Sequence, residues 1–240
     1  MKHIRFDNFS FYYKNKNEYF EALKKINLTI ERGELLCVVG ESGGGKTTFL
    51  NSILGMGQYY EGEMYIDGES FENVDVKNLN IGVVRQEFVL YPHLTVYENI
   101  AFPLKAIKAE PKEIDKRVKE IAKTLEIEWL LTRKPRQLSI GQNQRVAIAR
   151  ALIKKPQLIL FDEPFSNLDI ELRRELRMLV KRIHEQYDTT IVFVTHELQE
   201  AFFLADRIAV ISGGIIEDVG TPEELKVNPK SDLIKRYLNE

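Results

Sequence analysis

The chain has 240 residues, enough for one large domain or for a core carrying a sizeable insertion. Its net charge of -2 gives no general reason to expect nucleic acid, and 44% hydrophobic with 29% charged residues is ordinary for a soluble globular protein. No apolar stretch approaches the roughly 18 residues of a membrane span, and the N-terminal Met1–Asp7 lacks the apolar core of a signal peptide, so a cytosolic-type chain is expected. Any membrane association would then come through a partner. Cys37, the single cysteine, reads as a small buried core residue with no second cysteine for an internal disulfide.

In chain order, residues 3–13 and 24–30 alternate enough to read as strands, joined by a polar loop from Lys14 to Glu18. The apolar run Leu35–Val39 reads as a buried strand, and Thr48–Leu54 as a helix. Between them, Gly40-Glu41-Ser42-Gly43-Gly44-Gly45-Lys46-Thr47 matches the phosphate-binding pattern G-x-x-x-x-G-K-S/T at every fixed position. Glycine-rich turns also close ordinary hairpins; the Lys-Thr pair and the strand–loop–helix context distinguish this one. The glycines at 40, 43, 44 and 45 let the backbone turn its N–H groups inward as a nest for phosphate oxygens. The following helix adds its positive end, Lys46 brings a mobile charge to the β- and γ-phosphates, and the Thr47 hydroxyl is placed to bind Mg²⁺.

A strand pair is expected near Glu63–Asp67, where Asp67-Gly68 signals a turn, and Ile81–Val84 is a short apolar run ending at Arg85-Gln86. The middle of the chain then changes character. Within 112–125, Ile114, Val118, Ile121, Ala122 and Leu125 share one helical face, opposite a charged, solvated one. A second helix begins near Gly141 and runs through Leu152, so residues 87–154 read as mostly helical. After Pro156 the apolar runs Leu158–Phe161 and Ile191–Val194 suit parallel strands buried on both faces, with a helical period at Leu172, Leu176, Leu179, Val180 and Ile183 between them. Ile208–Ile211, Gly213-Gly214 and Ile215-Ile216 read as strand, turn and strand. The expectation is a discontinuous α/β core, residues 1–86 and 155–240, carrying a helical insertion at 87–154.

The strand at Leu158–Phe161 ends in Asp162-Glu163. Alone, two acids there are more often a solvated strand end. Downstream of a phosphate loop they become a candidate pair, Asp162 to hold Mg²⁺ and Glu163 to accept a proton from the attacking water or orient it.

The phosphate loop has the narrower form G-x-S-G-x-G-K-T-T, and Leu138-Ser139-Ile140-Gly141-Gln142 precedes the acid pair. With Gln86, Ser166-Asn167-Leu168-Asp169 and His196 in order, the set resembles the ATP-binding cassette (ABC) ATPases over nearly the whole chain. Residues 91–100 and 145–152 bring it closest to ATPase subunits of bacterial importers. The resemblance implies a RecA-like P-loop NTPase core with an N-terminal antiparallel β subdomain and a helical subdomain bearing the signature segment. It implies that Tyr13 stacks on adenine, although Tyr12 is its neighbour and Tyr13 could be plain strand packing. Gly40, Ser42, Gly43, Gly44, Gly45, Lys46, Thr47 and Thr48 would hold the phosphates of ATP and its Mg²⁺. Gln86 would touch the metal and the attacking water, with Asp162 supporting the metal, Glu163 as general base and His196 on the γ-phosphate. Asp169 would help join two subunits, and Ser139, Gly141 and Gln142 would reach the partner's nucleotide in a head-to-tail dimer. A Ser hydroxyl, backbone N–H groups and a helix N-terminus together make a second anion site.

The implied partners are integral membrane permease subunits, a second copy of the chain or a homologous ATPase, and, through the permease, an extracytoplasmic solute-binding protein. The implied place is the cytoplasmic face of the membrane. A groove from Gln86 to Leu94 would accept a permease helix, which makes Phe88 and Leu90 the positions for uncoupling by Asp. An exporter shares the same chemistry. A soluble ABC ATPase acting on nucleic acid or ribosomes is the alternative, opposed by one cassette, no sustained heptads and no basic block. A small-molecule kinase on the same loop would leave the Ser139–Gly141 element unexplained. His196-Glu197 is no zinc motif, because position 200 is Glu where H-E-x-x-H needs His.

Two departures from the family pattern stand out. Ile140 replaces the first Gly of L-S-G-G-Q, which is tolerable if φ is negative there, and Asn143 replaces a usual basic residue. The expectation is that Ile140 tunes a closed dimer without abolishing turnover. The sequence also stops at Glu240, soon after the cassette, where importer ATPases often continue into a C-terminal regulatory domain.

Overall fold

The computed structural model describes residues 2–15, 18–57, 59–87, 89–166, 168–187 and 189–239. Its strands are β1 (Lys2–Asn15), β2 (Glu18–Glu31), β3 (Leu35–Val39), β4 (Tyr59–Ile66), β5 (Glu69–Ser70), β6 (Ile81–Val84), β7 (Leu158–Asp162), β8 (Thr190–Thr195), β9 (Arg207–Ser212) and β10 (Ile215–Gly220). Its helices are α1 (Lys46–Ile53), α2 (Val96–Ala106), α3 (Pro111–Thr124), α4 (Ile140–Leu152), α5 (Ile170–Tyr187), α6 (Leu198–Leu204), α7 (Pro222–Val227) and α8 (Asp232–Leu238). The chain divides into two compact units, Met1–Leu79 with Asp188–Glu240, and Asn80–Tyr187.

The first unit holds an antiparallel sheet in the order β2-β1-β4-β5. Its inner face is aromatic: Phe6 packs edge-on to Phe9 at 5.4 Å and lies 5.0 Å from Phe49 of α1, so burial of these rings fixes α1 on the sheet. The same unit holds β3 flanked by β8 and β9, both parallel to it, with β10 antiparallel on β9. Every residue of β3 and β8 is buried, which explains their unbroken apolar sequence. Cys37 sits inside β3, and burial pushes its thiol well above the ordinary range, as its core reading requires.

The second unit pairs β6 with β7 in parallel and packs α2, α3 and α4 together. α3 turns Ile114, Val118, Ile121 and Ala122 inward, the face expected from their spacing, and α5 buries Leu176, Leu179, Val180 and Ile183. Residues 87–154 lie wholly inside this unit, which also takes in β6, β7 and α5.

Several elements differ from the sequence expectation. β1 and β2 extend across most of the supposed loop at Lys14–Glu18, of which residues 16 and 17 lie outside the described set. Paired Tyr13↔Phe20 and Lys14↔Tyr19 carry the ladder onward, because aromatic cross-strand neighbours outweigh the polar composition of the turn. α1 begins at Lys46 rather than Thr48. α2 rests on a capping box: Thr95 Oγ1 accepts from the Glu98 N–H at 3.2 Å and Glu98 Oε2 accepts from the Thr95 N–H at 2.8 Å.

Candidate functional site

In the first unit, β3 delivers the chain into the phosphate loop. A Cβ on Gly40 would collide with the Ile211 carbonyl oxygen of β9, so the strand can leave the sheet here only as glycine. Gly43 (φ 79°) and Gly45 (φ 109°) take the left-handed backbone that turns successive N–H groups to one side. The β9–β10 turn braces the loop from behind, Gly214 N–H donating to the Gly44 carbonyl at 3.0 Å. Lys46 is 4% exposed, and its Nζ donates to the carbonyls of Gly40 and Glu41, each at 3.0 Å. Gly45 is the N-cap of α1 and has no side chain to cap it, so the first-turn N–H groups are directed past the helix end. Ser42 and Thr47 are exposed, and space beyond Gly43 is open enough that an added Cβ there meets no atom within 4 Å. A donor-lined, uncapped helix start with a buried lysine fits a polyphosphate.

Tyr13 borders the same loop. Its hydroxyl lies 3.5 Å from Thr48 Oγ1 and accepts from Asn51 Nδ2 at 3.3 Å, whereas the Tyr12 hydroxyl donates to Glu61 at 3.1 Å. Of the two tyrosines, Tyr13 is therefore the one on the α1 face. His196 follows β8 with a 43% exposed side chain, Nε2 lying 3.7 Å from Glu197 Oε1. The turn after β8 is held by Thr195, whose Oγ1 accepts from the Glu197 N–H and donates to the buried Glu200 carboxylate at 2.7 Å.

In the second unit, Ser139 is the N-cap of α4, its Oγ accepting from the Gln142 N–H at 3.2 Å while Gln142 Oε1 accepts from the Ser139 N–H at 3.0 Å. Ser139 and Gln142 thus satisfy each other. The N–H groups of Ile140 and Gly141, which no intrahelical carbonyl reaches, are directed past the helix end, and the Ser139 hydroxyl keeps a proton to donate. Ile140 is the first residue of α4 and 57% exposed, and it lies outside the positive-φ set, as tolerance of a β-branched residue requires. A Cβ on Gly141 would come 2.6 Å from Leu172 Cδ1, the far end of a flexible side chain. Asn143 Oδ1 is buried without a hydrogen-bond partner among the described residues.

Asp162 ends β7 half-buried, and Glu163 beside it has φ 45°, a conformation costly for a residue with a side chain. Asp169 Oδ1 accepts from the Leu172 N–H at 2.9 Å at the start of α5; Asn167, read with it, lies outside the described residues. Gln86 is exposed just after β6. Beyond it, buried Asn99 pins the loop from both sides, accepting from the Tyr91 N–H at 2.8 Å and donating to the Tyr91 and Leu94 carbonyls. Leu90 is only 8% exposed, so Asp there would break packing rather than probe a groove; Phe88 lies outside the described residues, and Val89, 63% exposed, is the apolar side chain facing outward. Among the described residues no group of three or more His, Cys, Asp or Glu is arranged for a metal, and the side chains expected at Mg²⁺, from Thr47, Gln86 and Asp162, are all hard oxygen donors of the kind that ion takes.

The family described as ABC transporter matches residues 23–166. The chain belongs to that family, as an ATP-binding cassette. The cassette is 43% identical to the sulfate/thiosulfate import ATP-binding protein CysA of Pectobacterium atrosepticum, across 92% of this chain and 68% of that protein. It is 45% identical to the sn-glycerol-3-phosphate import ATP-binding protein UgpC of Brucella abortus, across 91% of this chain and 62% of that protein. The cassette thus spans about two thirds or less of the length of these relatives. It also superposes on the ATP-binding cassette MJ0796, solved as a post-hydrolysis dimer bound to ADP and Pi, with a TM-score of 0.80 and 37% identity over 91% of this chain and 98% of that one. No helix among the cassette's described residues is long and apolar enough to cross a membrane. Sequence reasoning missed the bracing of the loop by Ile211 and Gly214; the Gly213-Gly214 signal was legible as a turn, but its neighbour was not.

Proposed function

We propose that the cassette binds and hydrolyses ATP to drive a membrane importer. The observation that carries this reading is the phosphate loop, whose left-handed glycines, uncapped α1 and buried Lys46 suit a nucleoside triphosphate. In this reading Gly40 to Thr48 hold the phosphates and Tyr13 stacks on the base. Thr47, Gln86 and Asp162 would hold Mg²⁺, which when bound supplies charge neutralisation on the phosphates. Glu163 takes a proton from the attacking water, with His196 contacting the γ-phosphate. Residues 1–86 and 155–240 act as the nucleotide-binding core and 87–154 as the helical signature subdomain. Ser139, Gly141 and Gln142 would meet the nucleotide of a second copy or a homologous ATPase, with Asp169 at that junction. ATP then favours the closed dimer, and hydrolysis releases it.

The import reading draws on the relatives, whose names specify different solutes at nearly the same identity, 43% and 45%. Solute choice is accordingly placed in the permease subunits and an extracytoplasmic binding protein, with the cassette working from the cytoplasmic face. Purification of the tagged protein from its native membranes in mild detergent, with ATPase assay and mass spectrometry, tests this. A stoichiometric integral membrane partner is expected. Recovery of an active ATPase with ribosomes, DNA or nothing would overturn the transporter reading.

A further inference from the structure

Gln144 lies in α4, five positions beyond the capping serine, and its side chain is entirely buried. Its Nε2 donates to the Pro164 carbonyl at 2.6 Å, and its Oε1 is buried with no hydrogen-bond partner among the described residues. A buried amide left half-satisfied costs about 1–3 kcal/mol relative to an apolar group of the same shape. For packing alone, methionine would serve at least as well. What the amide supplies is one short bond to the carbonyl of Pro164, the residue that follows Glu163. Glu163 needs such support: its backbone is in the left-handed region, φ 45°, and on the downstream side its carbonyl accepts from the Ser166 N–H at 3.4 Å and hydroxyl at 3.2 Å. Strained backbone persists where neighbours over-determine it.

We propose that Gln144 is a positioning residue, which holds the turn carrying Glu163 at the angle needed for water activation and ties it to the helix that Ser139 begins. α4 is continuous from Ile140 to Leu152, so a ligand engaged at its N-terminus and the carboxylate of Glu163 are linked through one rigid element and one hydrogen bond. The inference rests on Glu163 acting as the base.

Gln144→Met removes the bond while keeping length and volume. The expected result is a fall in kcat of about 10- to 100-fold, as for small misplacements of a catalytic group. ATP affinity should be unchanged and Tm little changed, because the orphaned Gln144 oxygen is gone while the Pro164 carbonyl loses its donor. Unchanged kcat, or a Tm that falls together with kcat, would overturn the proposal. Gln144→Leu repeats the test with a second apolar shape and the same two readings. Glu163→Gln, measured alongside, separates the failures: near-normal turnover there removes Glu163 as base, whereas its loss with full activity in Gln144→Met removes only the positioning role.

Discussion

The two helix starts, α1 after the phosphate loop and α4 after Ser139, solve the same problem in opposite ways. α1 is preceded by a left-handed glycine with no side-chain cap, so no capping side chain competes for its first donors. α4 carries a closed capping box, in which Ser139 and Gln142 satisfy each other and only two backbone N–H groups and one hydroxyl proton are left over. The first start has no side chain to cap it; the second is complete as a helix. The proposed function, with a nucleotide seat at the first and a switchable contact at the second, calls for that difference.

The largest effect expected from breaking this comparison is at Lys46. Lys46→Ala deletes the one cation buried in the loop, and ATP turnover should fall by at least about 100-fold, the scale of losing one electrostatic clamp. Nucleotide binding by fluorescence titration together with a phosphate-release assay checks it; turnover within ten-fold of normal would defeat the reading of the loop.

Next in size is one substitution placed where β3 enters the loop before α1 and at the start of α4. Gly40→Ala drives a methyl into the backbone carbonyl of Ile211, which cannot move without displacing β9, and should destabilise the fold by about 3 kcal/mol. Gly141→Ala meets only the flexible end of Leu172, whose rotation limits the cost to about 1 kcal/mol. Denaturant unfolding of the two variants gives the ranking; equal losses would mean that the loop is no better braced than the α4 start.

How far the sequence alone carries differs along these same lines. The phosphate loop, the buried runs of β3 and β8 and the face of α3 were legible because each is a local pattern: a fixed spacing, an apolar run, a helical period. α2 was legible only as part of the mostly helical stretch 87–154 and not resolved as an element, although Thr95 and Glu98 spell a capping box, because Pro103 within it masks the helical signal. The short helices α6, α7 and α8 hold too few turns for periodicity to register. Partnerships across the sequence were out of reach: Ile211 behind Gly40, Pro164 against Gln144, and the α1 neighbours Thr48 and Asn51 of the Tyr13 hydroxyl.

Ser139→Ala separates the two duties of the α4 cap. Loss of the hydroxyl removes one capping bond, worth about 1 kcal/mol of stability. It also removes the outward O–H that would meet a partner's phosphate. Binding of ATP to the isolated cassette should be unchanged, while ATP-dependent dimerisation by analytical ultracentrifugation in a Glu163→Gln background should weaken. A dimer as tight as before would leave Ser139 as a helix cap and nothing more.

The smallest effect is expected where the sequence looks most unusual. Ile140 occupies the first helical position of α4 with a side chain 57% exposed, so it neither strains the backbone nor fills the core of its own unit. Replacing it with glycine leaves the Ile140 and Gly141 N–H donors in place and costs only about 0.5–1 kcal/mol in backbone entropy. In the proposed function the β-branched side chain would act on what approaches the helix end, as a bumper that sets how closely a partner's nucleotide docks. Turnover in Ile140→Gly should change by less than about 100-fold, which corresponds to roughly 2.7 kcal/mol of barrier. A larger rise in steady-state ATPase would mean that Ile140 blocks the contact rather than adjusting it, and that the α4 start is not switchable in this chain as it stands.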